Sequence, residues 1–223
     1  MNAEKLNFAS NPRLAAYVSV GAAITMLIGA AFNGASGTDL WAALAHNQLE
    51  DYLEAAGKVK PVLIANLSFW ILGVFLLGVA GYLLAGLCQQ RKNTANIALA
   101  FFRVAVPVAI VAFVAMLTVV VQIAPDNSAV AVFNAKVVGW IGVRLDDIAT
   151  AMIAGAGPFF ISRAARKDWM PNWLVNWGYL AGLAAIIGIL VLYFPKQYAL
   201  GLILVPVGLG WFIATGVMLL RKK

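Results

Sequence analysis

Charged side chains are scarce in this sequence and make up only 11% of its 223 residues. Soluble domains usually carry about 25% charged residues, so this chain cannot cover a water-facing surface. Hydrophobic residues make up 63% of the chain, and its mean hydropathy is +0.88. This composition excludes an ordinary soluble protein and indicates that lipid surrounds most of the chain.

Cysteine and histidine each occur once, as Cys88 and His46. A single cysteine excludes an internal disulfide, a CxxC redox pair and a thiolate metal cluster. A single histidine excludes paired histidine ligands for a haem within one chain. The sequence also lacks a Walker loop, a GxSxG elbow, an HExxH helix and a dinucleotide fingerprint. We therefore predict a protein that is not an enzyme and binds no cofactor.

Long apolar runs fill most of the chain. A membrane-spanning helix needs roughly 20 apolar residues, so the sequence predicts an all-α bundle of six transmembrane helices in one domain, 1–223. The first run is about 19 residues long, more than the 7–15 apolar residues of a cleaved signal peptide, and is counted as a span. The six runs are 14–32, 62–87, 97–124, 137–162, 173–194 and 198–220.

Basic residues lie at the ends of the apolar runs, although the formal net charge is +7. This distribution is typical of topology determinants and does not indicate nucleic-acid binding. Ten basic residues lie in the two tails and the second and fourth connections, against four in the other three connections. The positive-inside rule therefore predicts both termini in the cytoplasm. The ten are Lys5, Arg13, Arg91, Lys92, Arg163, Arg166, Lys167, Arg221, Lys222 and Lys223, and the four are Lys58, Lys60, Lys136 and Lys196.

The connection 33–60 is the longest between two runs and contains an amphipathic pattern. Asp39 is a suitable N-cap for a helix over about 40–56, in which apolar residues recur at spacings of three and four. The helix has an acidic rather than a basic polar face, so anionic lipid would not attract it. We predict that it lies at the outer membrane surface and packs on the bundle.

His46, Glu50 and Glu54 recur at four-residue intervals on the polar face of that predicted helix. One histidine and two carboxylates are a weak candidate for a divalent metal site. A closed site needs further ligands and supporting hydrogen bonds. The favoured interpretation is a solvated acidic face without a metal.

Arg144, Asp146 and Asp147 form a polar cluster inside the fourth apolar run. A charge near the bilayer centre costs at least about 2.5–3.5 kcal/mol, so each must be paired, wetted or neutralised. Arg144 and Asp147 are three residues apart and share a helix face, which predicts an ion pair. Asp146 points about 100° away from Asp147 and needs a polar side chain, water or a proton.

Two functional interpretations of this cluster stay open. The favoured one is a structural cluster that holds the bundle together, or a wet outer vestibule. The other is a functional site, either a proton or cation relay or a polar cavity for a ligand. Arg103, in the third run, is a possible secondary polar site. We expect the Arg103 side chain to extend to the lipid headgroups on the cytoplasmic side.

Small residues are frequent in the second, fourth, fifth and sixth runs. Gly178 and Gly182 form a GxxxG pattern, which lets helices approach closely. Packing within one chain is favoured over a homo-oligomer interface.

The order of features from Arg103 onward resembles a bacterial family of six-helix membrane proteins known as domain of unknown function 4386. The similar features are Arg103, the element Pro171-Asn172-Trp173, the small residues 178–182, and a last span over 211–221 that closes in basic residues. The resemblance covers about half of the chain and implies a six-helix bundle in a bacterial inner membrane. It implies no activity, and the Arg144 cluster is not part of it.

Two functions are compatible with the sequence. The leading hypothesis is a non-catalytic accessory or scaffold subunit that packs against a larger membrane complex, with membrane lipids and a membrane protein or a second copy as partners. Short connections, missing catalytic motifs and many small residues favour it. The alternative is a small transporter or proton-coupled carrier that uses Arg144, Asp146 and Asp147.

Overall fold

A computed structural model describes residues 11–221, and within that range every regular element is helical. In this part of the chain, six helices are long and apolar enough to cross a membrane, as predicted. The helices are α1 (Pro12–Ser36), α2 (Leu40–His46), α3 (Leu49–Lys58), α4 (Lys60–Gly86), α5 (Lys92–Thr118), α6 (Ala129–Thr150), α7 (Gly157–Ala165), α8 (Asn172–Val191), α9 (Tyr198–Gly201) and α10 (Leu204–Arg221).

The first span shows why these helices begin and end where they do. The side chain of Asn11 accepts a hydrogen bond from the Leu14 N–H at 3.1 Å. Pro12 occupies the first turn, where a missing N–H costs little. At the other end, Gly37 adopts a left-handed conformation with φ 64°, a common stop for a helix.

The fourth span is longer than predicted. It runs over Ala129–Ala165 as α6, a π-helical turn (Ala151–Ala156) and α7. The predicted start at residue 137 is wrong, because the Ser128 hydroxyl accepts from the Ala131 N–H and begins the helix earlier. From the sequence, the polar residue Lys136 was assigned to the connection before the span, but it lies in the first turns of α6. The π-helical turn ends two residues before Pro158, whose nitrogen has no hydrogen to donate to the normal α-helical hydrogen bond.

The sixth span, predicted over 198–220, is found as a candidate span over Pro195–Arg221, but it is not one regular helix. The structure has a short 3₁₀ turn at Pro195–Gln197, then α9, a bend at residues 202–203, and α10. Pro206 lies in the first turn of α10 and has no N–H to continue a helix from α9. The discontinuity therefore follows from a proline close to Gly201.

The connection between α1 and α4 also differs from the prediction of one helix over 40–56. Asn47 has a left-handed backbone with φ 57° and ends α2, and α3 begins two residues later. Asparagine adopts this conformation more readily than most residues. Asp39 caps α2 as expected and accepts from the Ala42 N–H at 3.0 Å. The apolar sides of both short helices are buried, and both contact α6.

Small residues let the long helices approach one another within the chain. A side chain at Gly178 would overlap Ser162, and one at Gly182 would overlap Phe159. Both glycines of the GxxxG pattern therefore face α7 of the same chain, in agreement with the favoured interpretation.

The bundle has two distinct ends. At one end, the Asp168 carboxylate accepts from the backbone N–H groups of Gln89 and Gln90 at 2.8 and 3.1 Å, and Arg91 donates to the Arg163 carbonyl. We call this the basic end. At the other, the α2–α3 end, the Lys60 ammonium donates to the Ala124 carbonyl at 2.8 Å.

Candidate functional site

A cavity of about 320 Å³ lies inside the bundle, and we call it the central cavity. Every spanning segment contributes to its wall, together with α2 and α9. Its polar lining consists of Asn33, Asp39, Asp146, Asp147 and Thr150, and its aromatic lining of Trp41, Trp70, Phe113 and Tyr198.

Helix α6 brings three of these polar side chains into the central cavity. Asp146 and Thr150 are four residues apart and lie on the same helix face. Asp147 is rotated by about 100° from Asp146, yet it lines the same cavity because the cavity extends around the helix. Of the cluster predicted from the sequence, Asp146 and Asp147 therefore line interior space, whereas Arg144 is not part of the cavity wall.

Arg144 and Asp147 form the ion pair that their spacing predicts, with 3.1 Å between Nη1 and Oδ2. The same guanidinium donates to the Val191 carbonyl at the end of α8 and lies 4.7 Å from the ring centroid of Trp140. Asp147 also interacts with the indole of Trp41. Because only 24% of Arg144 and 16% of Asp147 is exposed, this is a pair sheltered from solvent. It ties α6 to α8 and α2.

Asp146 has a different environment. Its Oδ1 accepts a hydrogen bond from the Thr150 hydroxyl at 3.3 Å. The ion pairs within residues 11–221 are Arg144–Asp147 and Lys58–Glu54, so no described cation neutralises Asp146. A carboxylate without a counter-charge in an apolar interior is costly. Asp146 is thus the group in the cavity with unused capacity for a proton or a cation.

The central cavity lies toward the α2–α3 end. Asp39, which follows α1 and caps α2, is exposed at its rim. Trp41 lies two residues further along, between the rim and Asp147. Asp39 at the rim and the carboxylates of α6 therefore line the same space.

Between the cavity and the basic end, the helices are in close contact, and we call this region the closed layer. A side chain at Gly208 would overlap Ala154, and one at Gly155 would overlap Ala185. Nearer the basic end, the fully buried Trp211 donates to the Ser162 hydroxyl at 3.1 Å. These contacts join α7, α8, α10 and the π-helical turn, so the structure is open on one side of Asp146 and packed on the other.

Irregular backbone surrounds the central cavity. The π-helical turn begins directly after Thr150, and the bend between α9 and α10 contributes Leu202 to the cavity wall. Helix α8 ends at Val191, whose carbonyl accepts from Arg144. π-Bulges and interrupted spanning helices often occur at binding sites in membrane proteins.

The other predicted residues do not join this site. Arg103 is exposed on α5 and is not part of the cavity wall. The weak metal candidate of His46, Glu50 and Glu54 is not supported, because the break at Asn47 places His46 on α2 and the two glutamates on α3. Within residues 11–221, no group of three histidine, cysteine or acidic side chains is arranged for a metal. Glu54 instead pairs with Lys58 at 2.6 Å, and this lysine lowers the pKa of Glu54.

Sequence reasoning missed two residues of the site. Asp39 was interpreted only as a helix cap, and Trp41 was not among the candidate site residues. Both line the cavity because α2 folds over α6, which is a tertiary contact between segments about 100 residues apart. No local pattern in the sequence indicates this approach.

The chain was compared with protein-family models, curated proteins and solved structures. No family model, no curated protein and no solved structure matches it. The resemblance to domain of unknown function 4386 therefore stays a prediction, and the function must be argued from the central cavity.

Proposed function

We propose that this protein is a small proton-coupled carrier in which Asp146 takes up the transported proton or cation. The observation that supports it is the central cavity, where two carboxylates of a spanning segment meet space inside the bundle and one of them has no described counter-charge. Ionisable groups within spanning segments commonly mark ion pathways and proton relays.

The lining of the cavity favours a positive charge. Among the described residues, three carboxylates and no lysine or arginine line it. The nearby cation, Arg144, is already engaged by Asp147, a carbonyl and the face of Trp140. Four aromatic rings supply further surfaces that attract cations. An anion would meet a repulsive site.

A carrier must open to the two sides of the membrane in turn. The structure has an open side toward Asp39 and a closed layer toward the basic end, as one state of such a cycle requires. The irregular backbone at the π-helical turn and at the α9–α10 bend provides places where segments can pivot.

The proposed orientation has both termini in the cytoplasm of a bacterial inner membrane. The charge asymmetry of ten basic residues against four supports it, and so does the clustering of Arg91, Arg163 and Arg221 at one end. The central cavity then opens to the outer side, beneath α2 and α3 at the membrane surface. A cysteine introduced near the C-terminus of a Cys88→Ser variant tests this orientation by labelling from each side.

The carrier proposal is tested with purified protein in liposomes. A potassium gradient with valinomycin drives protons inward, and a trapped pH-sensitive dye reports their entry. We expect wild-type flux well above that of empty liposomes and flux near that background for Asp146→Asn. Glu50→Gln, which removes an exposed carboxylate from α3, is the matched control and retains flux. Wild-type flux in Asp146→Asn would contradict the proposal.

A second measurement reports on Asp146 itself. Dicyclohexylcarbodiimide modifies protonated carboxyl groups in apolar surroundings, and peptide mass spectrometry locates the adduct. We expect modification at Asp146 in the wild type and none of that adduct in Asp146→Asn. An unmodified Asp146 would oppose a proton-carrying role.

An accessory or scaffold subunit is the second candidate. It is supported by the short connections at the basic end and by the bulky apolar side chains that α8 exposes, such as Leu183 and Ile186. In mild detergent, native mass spectrometry then recovers a membrane protein partner in fixed ratio or a second copy of the chain. Recovery of the monomer alone would count against it.

A further inference from the structure

A second space, separate from the central cavity, lies at the basic end between α8 and α10. It is a cleft of about 820 Å³, and we call it the α8–α10 groove. Apolar side chains of α10 form one wall, and the tryptophans at the start of α8 form the other. These residues are Ile213, Ala214, Val217, Met218, Trp173 and Trp177.

The tryptophan wall is held in place by packing and a hydrogen bond. Trp177 donates its indole N–H to the Val207 carbonyl at 3.0 Å, which joins α8 to α10. A side chain at Gly210 would come within 2.8 Å of the Trp177 ring, so this glycine leaves the space that the ring occupies. Trp173 lies beside Trp177, with 6.5 Å between ring centroids, and is more than half exposed. Tryptophan is typical of the level of lipid headgroups.

Three cations surround the mouth of the groove. Arg166 and Lys167 follow α7, and Arg221 is in the last turn of α10; all three are exposed. None of them is in an ion pair with a residue of the described range. The one carboxylate of the lining, Asp168, already accepts from Gln89 and Gln90. The groove therefore combines an apolar interior with a positively charged mouth.

We propose that the α8–α10 groove binds a phospholipid with an anionic headgroup. The headgroup phosphate lies between Arg166, Lys167 and Arg221, and an acyl chain lies along Ile213, Val217 and Met218. Basic clefts between spanning helices at the membrane interface suit this ligand, because charge attraction and apolar burial act together. The proposal uses none of the residues of the central cavity and does not depend on the carrier function.

The test uses the full chain in a mild, uncharged detergent with native mass spectrometry. Dioleoyl phosphatidylglycerol, dioleoyl phosphatidylcholine and inorganic phosphate are titrated separately. We expect a saturable first molecule of phosphatidylglycerol that binds at least tenfold more tightly than phosphatidylcholine, and no retained phosphate. Equal binding of the two lipids, or retention of phosphate alone at the same site, would overturn the proposal.

The variant Arg166→Gln with Lys167→Gln removes two charges from the mouth of the groove. We expect its affinity for phosphatidylglycerol to fall about 25-fold, since each basic residue near an anionic surface contributes about fivefold. The variant Lys92→Gln with Arg163→Gln removes the same charge from a neighbouring polar cleft at the same end and serves as the control. Equal losses in both variants would show a diffuse charge effect and overturn the site.

A variant that fills the groove separates lipid binding from surface charge. Ala214→Trp places a large side chain between the α10 wall and the tryptophans. We expect it to lose the tight phosphatidylglycerol molecule with all cations still present. Thermal unfolding in the same detergent verifies that the exposed-charge variants are folded. Undiminished binding in Ala214→Trp would show that no acyl chain enters the groove.

Discussion

The fourth span consists of two halves that differ in composition and packing. The α6 half carries Arg144, Asp146 and Asp147 and borders the central cavity, whereas the half after Thr150 contains small residues, Ala154 and Gly155, in close contact with α10 and α8. Both halves belong to one continuous helical segment. Polarity and packing change together along this span: the charged residues border a cavity, and the glycines allow close contact between helices.

The two carboxylates of α6 differ in the same way. Asp147 forms an ion pair with Arg144, so it contributes mainly to the contacts that join α2, α6 and α8. Asp146 has only Thr150 as a described partner and contributes mainly to function under the carrier proposal. Their positions in the sequence are adjacent, but their roles are separable.

The largest expected effect concerns access to the basic end of the bundle, which lies beyond the packed half. Cys88 lies at the basic end and is 2% exposed, and burial raises the pKa of its thiol from 9.0 to about 12. At pH 8, a shift of this size lowers the thiolate fraction about a thousandfold. We expect maleimide to label Cys88 about a thousandfold more slowly in the folded protein than after denaturation. Rapid labelling at pH 8 would show that the basic end is open to solvent.

The raised pKa of Cys88 also makes the free energy of unfolding depend on pH. The unfolded chain loses the Cys88 proton near pH 9, whereas the folded chain keeps it until about pH 12. The protonated thiol therefore favours the folded state fully below pH 9, and this contribution is lost as pH rises from 9 to 12. Unfolding in detergent over that range should show less alkaline destabilisation for Cys88→Ala. An identical pH profile for both proteins would contradict the assignment.

The next largest effect concerns the ion pair. Asp147→Asn leaves Arg144 without its carboxylate in a sheltered position, and we expect a loss of about 3 kcal/mol in the free energy of unfolding. Asp146→Asn breaks no ion pair and should cost less than about 1 kcal/mol. Denaturant titration in detergent checks both. Similar losses in the two variants would remove the distinction between the carboxylates.

A smaller effect is expected in the closed layer. Gly208→Ala forces a methyl group against Ala154 and places it 2.7 Å from the Ala154 carbonyl oxygen. We expect a destabilisation of about 1–3 kcal/mol, as for other overpacked cores. Gly21→Ala in α1 is the matched control, because nothing lies within 4 Å of its added methyl group, and it should be neutral or slightly stabilising. Equal stability of the two variants would show that the layer is loose.

The smallest expected effect on stability concerns the connection between α2 and α3. Asn47 has a left-handed backbone, so Asn47→Gly should stabilise the protein by a few tenths of a kcal/mol, and Asn47→Ala should destabilise it by about 1 kcal/mol. Thermal unfolding of the two variants measures the difference. A more stable Asn47→Ala protein would mean that α2 and α3 join into the single helix that the sequence pattern suggested.

Local patterns in the sequence predicted the parts of this structure that depend on short-range physics. Apolar runs of sufficient length predicted the six candidate spans, and a spacing of three residues predicted the Arg144–Asp147 pair. The same reasoning placed the start of the fourth span eight residues too late, because the polar residue Lys136 outweighed the cap at Ser128. Hydropathy contains no information about helix caps, so the positions of the helix ends were predicted least accurately.

The sequence by its composition predicts a lipid environment and a helical fold, and it shows that charged residues lie within a spanning segment. Only the tertiary structure decided that Asp146 and Asp147 border a cavity, that Asp39 and Trp41 join them, and that the opposite side is packed shut. The physical reason is that hydrophobicity and hydrogen bonding within a helix act locally. Which helix faces meet depends on the simultaneous fit of side chains from segments far apart in the chain.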